Sequence, residues 1–142
     1  MGYFDNQRNA YHAAGYRTGL TMQALPYDWR KGYRENKLDW KFERTIDSLF
    51  DITGKRVVII AHSMGNFQTV HNLWKMDQKK KDERVARFMS LAGPFLGSAE
   101  ASIVPYAMDK QFGVNLINLV QAGIVPYTFK NCLASWPTLF QL

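Results

Sequence analysis

The residues most able to do chemistry are those of Ala61-His62-Ser63-Met64-Gly65, a serine with a small residue two positions before it and two positions after. That spacing suits a tight strand-to-helix turn. Such a turn projects the serine hydroxyl from the edge of a sheet, and the small flanking side chains let strand and helix approach closely. Ala61 stands where a glycine is usual, and a methyl group is commonly tolerated there. A serine so placed is a nucleophile for acyl transfer. At the N-terminus of a helix, the backbone N–H of Met64 points toward the oxyanion that develops on attack. Ser63 is therefore the candidate nucleophile and Met64 the candidate oxyanion donor. A lone pentapeptide fits an ordinary βα turn equally well, so its flanks must decide.

The flanks favour a nucleophile elbow. Val57-Val58-Ile59-Ile60-Ala61 is a continuous apolar, mostly β-branched run, the pattern of a central parallel strand covered on both faces. The following segment places Phe67, Val70, His71 and Trp74 on one face of a helix. A serine also needs a base, and in the α/β-hydrolase order of Ser, acid, His that base lies downstream. The chain has three histidines. His12 comes too early, His62 adjoins the nucleophile and points away from it, and His71 reads as a packed or hydrogen-bonded helix residue. Asp77, Asp82, Glu83, Glu100 and Asp109 follow Ser63, yet without a later histidine none takes a triad role. The second oxyanion donor belongs to a loop after an earlier strand, and none precedes Tyr3. The triad acid and histidine are thus expected outside this chain, as in an internal piece of a longer catalytic domain. A catalytically silent, repurposed hydrolase and a mispredicted gene product are the competing expectations.

The elements that must position the serine alternate. Tyr3 to Ala14 suits a helix stopped at Gly15, and Leu20 to Leu25 reads as a short strand closed by Pro26. Asp39 is expected to cap a helix carrying Phe42, Ile46, Leu49 and Phe50, which Thr53-Gly54 ends. After the helix that follows Ser63, Phe88 to Ala92 reads as another buried strand. Helix and strand alternate three times, which argues for an α/β fold with a parallel sheet and crossover helices, beginning in mid-unit. Beyond Gly93-Pro94 lies an apolar, turn-rich tail with Phe112, Leu116, Leu119 and Val120 at helical spacing, punctuated by Pro105, Pro126 and Pro137.

Of the 142 residues, 46% are hydrophobic and 21% charged, the composition of a folded domain with a core rather than of a disordered chain. The formal net charge of +6 has to be located before it is interpreted. Part of it, Lys79, Lys80 and Lys81, is read as the solvated end of the helix after Ser63, running into Asp82, Glu83 and Arg84. No aromatic-interleaved basic stripe or zinc-finger spacing accompanies it, which argues against nucleic-acid binding. Nothing in the motifs calls for a cofactor or a metal. Cys132 is the only cysteine, so no disulfide forms within these residues and the redox compartment stays open. Met1 through Arg8 lacks an apolar signal core, and no stretch reaches the roughly 18 apolar residues of a membrane span.

Three stretches turn the generic serine turn into a family resemblance. They are Gly15-Tyr16-Arg17-Thr18-Gly19 leading to Pro26-Tyr27-Asp28-Trp29-Arg30, then 61–65, then Ser90-Leu91-Ala92-Gly93-Pro94-Phe95-Leu96-Gly97-Ser98. Together they resemble the lecithin:cholesterol acyltransferase family, with lysosomal phospholipase A2 and phospholipid:diacylglycerol acyltransferase. The resemblance implies a partial α/β-hydrolase fold, with the central nucleophile-bearing part of the domain in 1–97 and a lid or cap segment in 98–142. An ordinary core helix remains the alternative for Phe112 to Val120. Ser135-Trp136-Pro137-Thr138 to Leu142 resembles the segment re-entering the sheet. The implied chemistry is an acyl-enzyme on Ser63, formed from a glycerophospholipid and passed to water or a lipid hydroxyl, with transient contact to a membrane or lipid surface. The implied location is the secretory pathway, the lysosome or the ER membrane. Asp28 and Arg30 are expected to form a buried charge-assisted pair that fixes their loop near the site, with Tyr27 and Trp29 as packing residues. A lipase sharing only the serine turn would not account for Pro26 to Arg30.

Overall fold

The computed structural model describes residues 4–97. Along the chain these form α1 (Asp5–Ala13), α2 (Tyr33–Asn36), α3 (Asp39–Thr53), β1 (Val57–His62), α4 (Gly65–Lys75), α5 (Gln78–Arg84) and β2 (Val85–Leu91). β1 and β2 pair in parallel, with Ile59 opposite Phe88 and His62 opposite Leu91. Parallel neighbours need a crossover, which α4 and α5 supply. The result is an α/β fold with a parallel sheet and flanking helices, consistent with part of an α/β-hydrolase-like topology. The tail beyond Gly97, including the apolar helix expected from Phe112 to Val120 and Cys132, lies outside the described residues.

The core sits between α3, the end of α4 and one face of the sheet. Phe42, Ile46 and Met76 are buried at its centre, and Leu25, Val57, Ile59, Leu73 and Val85 pack around them. Burying an aliphatic or aromatic side chain of this size stabilises by about 1.5–3 kcal/mol. Phe42 and Ile46 are one helical turn apart, which is why α3 presents a single apolar stripe. That helix ends as its sequence predicts, at Gly54, whose φ of 64° is left-handed and whose N–H donates to the Phe50 carbonyl. Its start differs. Asp39 is already helical, Leu38 precedes it without a side-chain cap, and the Asp39 carboxylate pairs with Lys75 of α4 instead.

Three further expectations are corrected, and a fourth, the covering of β1, is met only in part among the described residues. Leu20 to Leu25 is not a strand: the Arg17 carbonyl accepts from the N–H groups of Leu20, Thr21 and Met22, and Gly19 turns at φ 82°, so local bonds replace a ladder. β1 is covered on one face only among the described residues. Its other face leaves Val58 and Ile60 49% and 39% exposed, beside Met89 and Leu91 of β2.

α4 is turned opposite to its apolar stripe. Asn66, Gln68, Thr69 and Asn72 are its buried residues, while Val70 is exposed and Trp74 is 77% exposed. Three of these polar side chains bond to nearby backbone carbonyls. Asn66 reaches Ser63 at 2.7 Å, Thr69 reaches Gly65 at 3.0 Å and Asn72 reaches Gln68 at 2.6 Å. Their donors are thereby satisfied without water, which makes the burial tolerable.

The lysine run does not end α4. Met76 leaves that helix in an extended conformation and Asp77 caps a new one, accepting from the Lys80 N–H at 3.1 Å. Lys79 is solvated, but Lys80 bonds to Glu43 at 2.7 Å and Asp47 at 2.9 Å on α3. Arg84 reaches Asp47 and Asp51 and lies 4.8 Å from the Phe50 ring centroid. Glu43, Asp47 and Asp51 share one face of α3 at i, i+4 spacing, so this part of the basic charge braces two helices.

Candidate functional site

Ser63 occupies the turn between the end of β1 and the start of α4, at the C-terminal edge of the parallel strands. In open α/β sheets that edge is where ligands bind. Its backbone φ is 51°, the left-handed region, and the residue is exposed. A residue with a β-carbon adopts this conformation at a cost of about 1–2 kcal/mol. Three hydrogen bonds converge to offset it. The Ser63 N–H donates to the Leu91 carbonyl at 2.9 Å. The Ser63 carbonyl accepts from the Asn66 N–H at 3.1 Å and from the Asn66 side-chain amide at 2.7 Å. Each contributes a net of roughly 0.5–1.5 kcal/mol.

Met64 is the N-cap residue of α4, with φ −58° and ψ −24°. Its N–H lies at the N-terminal end of α4, where the helix dipole favours negative charge. The small residues on either side do what the spacing requires. Ala61 is buried, and a β-carbon built on Gly65 would lie 4.0 Å from the Ala61 β-carbon and 3.8 Å from the Tyr27 hydroxyl. A methyl group fits there; a larger side chain meets Tyr27.

Tyr27 therefore brings the Pro26 to Arg30 loop against the serine turn. Its hydroxyl is half-buried, and burial pushes its pKa up. The Asp28–Arg30 pair forms as expected, bidentate, with both N–O distances 2.8 Å. It is not buried, however, because the Arg30 side chain is 57% exposed. The Arg30 guanidinium holds the Asp28 carboxyl at about 2, well below the usual carboxylate range. Asn36 fastens the loop from the other side, donating to the carbonyls of Asp28, Lys31 and Gly32 and accepting from the Asp28 N–H. Trp29, expected as a packing residue, is 51% exposed.

β2 is followed by another left-handed residue, Ala92 at φ 47°. Gly93 follows where a side chain would force its neighbours to move: a β-carbon would meet Phe95 Cε2 at 2.6 Å and Ser90 Oγ at 2.8 Å. Phe95 in turn sets its ring edge-on to Phe67 of α4, 5.8 Å between centroids. The loops after both strands thus fold around the first turn of α4.

The three histidines are engaged elsewhere. His12 lies 3.1 Å from the Thr18 hydroxyl on the surface, and His62 turns its ring edge-on to Phe4. His71 stacks on Tyr33 at 5.0 Å, and burial, followed by the charge of Lys75, holds its pKa below the usual histidine value. Among the described residues, no group of three His, Cys, Asp or Glu side chains is placed to hold a metal, and no helix is long and apolar enough to cross a membrane.

Asn66 is the residue that sequence reasoning missed. Its signal was present in Asn66, Thr69 and Asn72, three polar residues at helical spacing between Gly65 and Lys75.

A family model described as lecithin:cholesterol acyltransferase matches residues 3–131. The human lysosomal phospholipase A and acyltransferase is 33% identical over 99 residues, covering 69% of this chain and 24% of that protein. The phosphatidylcholine-sterol acyltransferase of Gallus gallus is 32% identical over 131 residues, covering 87% of this chain and 31% of that protein. Its counterpart in Mus musculus is 30% identical over 108 residues, covering 75% and 24%. The chain thus spans between 24% and 31% of the length of these relatives. Since the matched region takes in both strands, the serine turn and the loop from Pro26 to Arg30, the chain belongs to the lecithin:cholesterol acyltransferase family.

Proposed function

We propose that the turn at 61–65 is a nucleophile elbow and that Ser63 is the nucleophile of a lipid acyl-transfer enzyme. In this reading Ser63 Oγ attacks the ester carbonyl of a glycerophospholipid while a base takes its proton. The Met64 N–H stabilises the oxyanion, and collapse of the tetrahedral intermediate expels the lysolipid and leaves an acyl-enzyme. Water or a lipid hydroxyl then takes the acyl group. The observation that carries the reading is the left-handed φ of 51° at an exposed serine between a parallel strand and a helix. A non-glycine residue is held in such a conformation only where its surroundings over-determine it, and such positions cluster at functional sites. The substrate class follows the relatives, a lysosomal phospholipase A and acyltransferase and a phosphatidylcholine-sterol acyltransferase. The base, the acid and the second oxyanion donor are assigned to none of the described residues, so the activity belongs to the full-length parent.

The full-length protein is expected to be labelled covalently by a fluorophosphonate, and Ser63→Ala is expected to abolish the labelling. Well-folded protein that takes no label would overturn the assignment.

A catalytically silent scaffold is the second reading, favoured by one observation: the contacts of His12 and His71 are made with Thr18 and Tyr33, away from the serine. The labelling experiment separates the two, since a scaffold retains the fold and takes no label.

A further inference from the structure

We propose that Asn66 is the positioning residue of this site, holding Ser63 in its left-handed conformation and tying it to the end of β2; the inference rests on Ser63 being the nucleophile. The side chain is fully buried at 0% exposure. Its amide nitrogen lies 2.7 Å from the Ser63 carbonyl and 3.2 Å from the Leu91 carbonyl. The same Leu91 carbonyl accepts the Ser63 N–H at 2.9 Å. The end of β2 and the apex of the turn after β1 therefore meet on one NH2 group.

Both partners are carbonyl oxygens, so only a side chain with two donors on one atom and no charge fits between them. Asparagine supplies two N–H donors, ionised aspartate supplies none, and an aliphatic residue supplies none. The other half of the amide, Oδ1, is buried without a partner among the described residues. That unpartnered buried acceptor is a cost of placing an amide at this position. What asparagine adds is the clamp. Rotating Ser63 out of φ 51° would break its bonds to Asn66 and Leu91 together. That backbone angle determines where Oγ stands relative to the Met64 N–H. Being buried, Asn66 does not touch substrate, and its effect falls on the reactivity of Ser63 rather than on binding.

The test compares fluorophosphonate inactivation of full-length wild type, Asn66→Ala, Asn66→Ser and Asn66→Asp, resolving kinact from KI, with melting curves recorded for each. Asn66→Ala is expected to lower kinact about 10- to 100-fold at unchanged KI, the scale of an ångström's misplacement of a reacting group. Asn66→Ser, which restores one donor, is expected to fall between Asn66→Ala and wild type. Asn66→Asp is expected to be as slow as Asn66→Ala at neutral pH. Its rate relative to wild type should recover as pH falls, because burial favours the protonated carboxyl, whose O–H can donate to the Ser63 carbonyl. Folded variants with wild-type kinact, or with a loss confined to KI, would overturn the proposal. If Asn66→Asp does not fold, the Asn66→Ala and Asn66→Ser pair decides it by the same comparison. Failure of wild type itself to label defeats the nucleophile assignment and this one with it. Labelled wild type beside unimpaired Asn66 variants defeats only the positioning role.

Discussion

The Tyr27 hydroxyl stands 3.8 Å from the place a β-carbon on Gly65 would take, so the loop from Pro26 to Arg30 abuts the first helical residue after the serine turn. The contact is loose enough for a methyl group and too tight for a branched one. Gly65→Ala is expected to keep or raise stability, because alanine is favoured over glycine within a helix by about 0.5–1 kcal/mol. Gly65→Leu is expected to displace Tyr27 and to cost about 1–3 kcal/mol by overpacking. Urea unfolding of the full-length variants checks both signs, and equal stability of the two would refute the contact.

Strain at Ser63 is measurable apart from activity. Glycine adopts φ 51° without the clash that a β-carbon brings, so Ser63→Gly should be more stable than Ser63→Ala by about 1 kcal/mol. In an unstrained position the order would reverse. Denaturation midpoints of the two inactive variants decide it.

At Gly93 the obstacle is space. A β-carbon there would sit 2.6 Å from Phe95 Cε2 and 2.8 Å from Ser90 Oγ, so Gly93→Ala is expected to shift the Phe95 ring away from Phe67. The predicted loss is about 1–3 kcal/mol. Phe95→Ala should relieve part of it, giving a double variant more stable than the sum of the single changes. Strict additivity would show that the ring is not the obstruction.

His71 links stability to pH. Burial and Lys75 lower its pKa, the charge of Asp39 opposes them and Arg34 adds to them, with Tyr33 stacked on the ring. Its folded value thus lies below the ordinary histidine value of about 6.5. The neutral ring's contribution is therefore fully present above that value and is lost as pH falls through the depressed one. Wild type should lose stability between about pH 7 and pH 5 by more than His71→Gln does. Melting temperatures across that interval test the difference, and parallel curves would remove His71 from the account.

Much of this architecture was legible locally. A β-branched run from Val57, a stripe built on Phe42 and Ile46, and Gly54 as a left-handed stop needed no knowledge of neighbours. Each is decided by contacts within a few residues. The small residues around Ser63 likewise prescribed a strand-to-helix turn. The strand expected from Leu20 to Leu25 was misread because its composition suits a strand, while Gly19 and the Arg17 carbonyl offered its backbone closer partners.

What the sequence determined by itself was the parallel βαβ order, the place of Ser63 within it and the family to which those motifs point. Only tertiary structure decided that α4 buries its asparagines and exposes Trp74, that Lys80 answers to Glu43 and Asp47, and that Tyr27 stands over Gly65. The physical reason is range. Periodicity and turn chemistry act between residues close in the chain, whereas the partners of Lys80 lie more than thirty positions away. The Leu91 carbonyl that Asn66 reaches is 25 positions along the chain, and no local pattern encodes that distance.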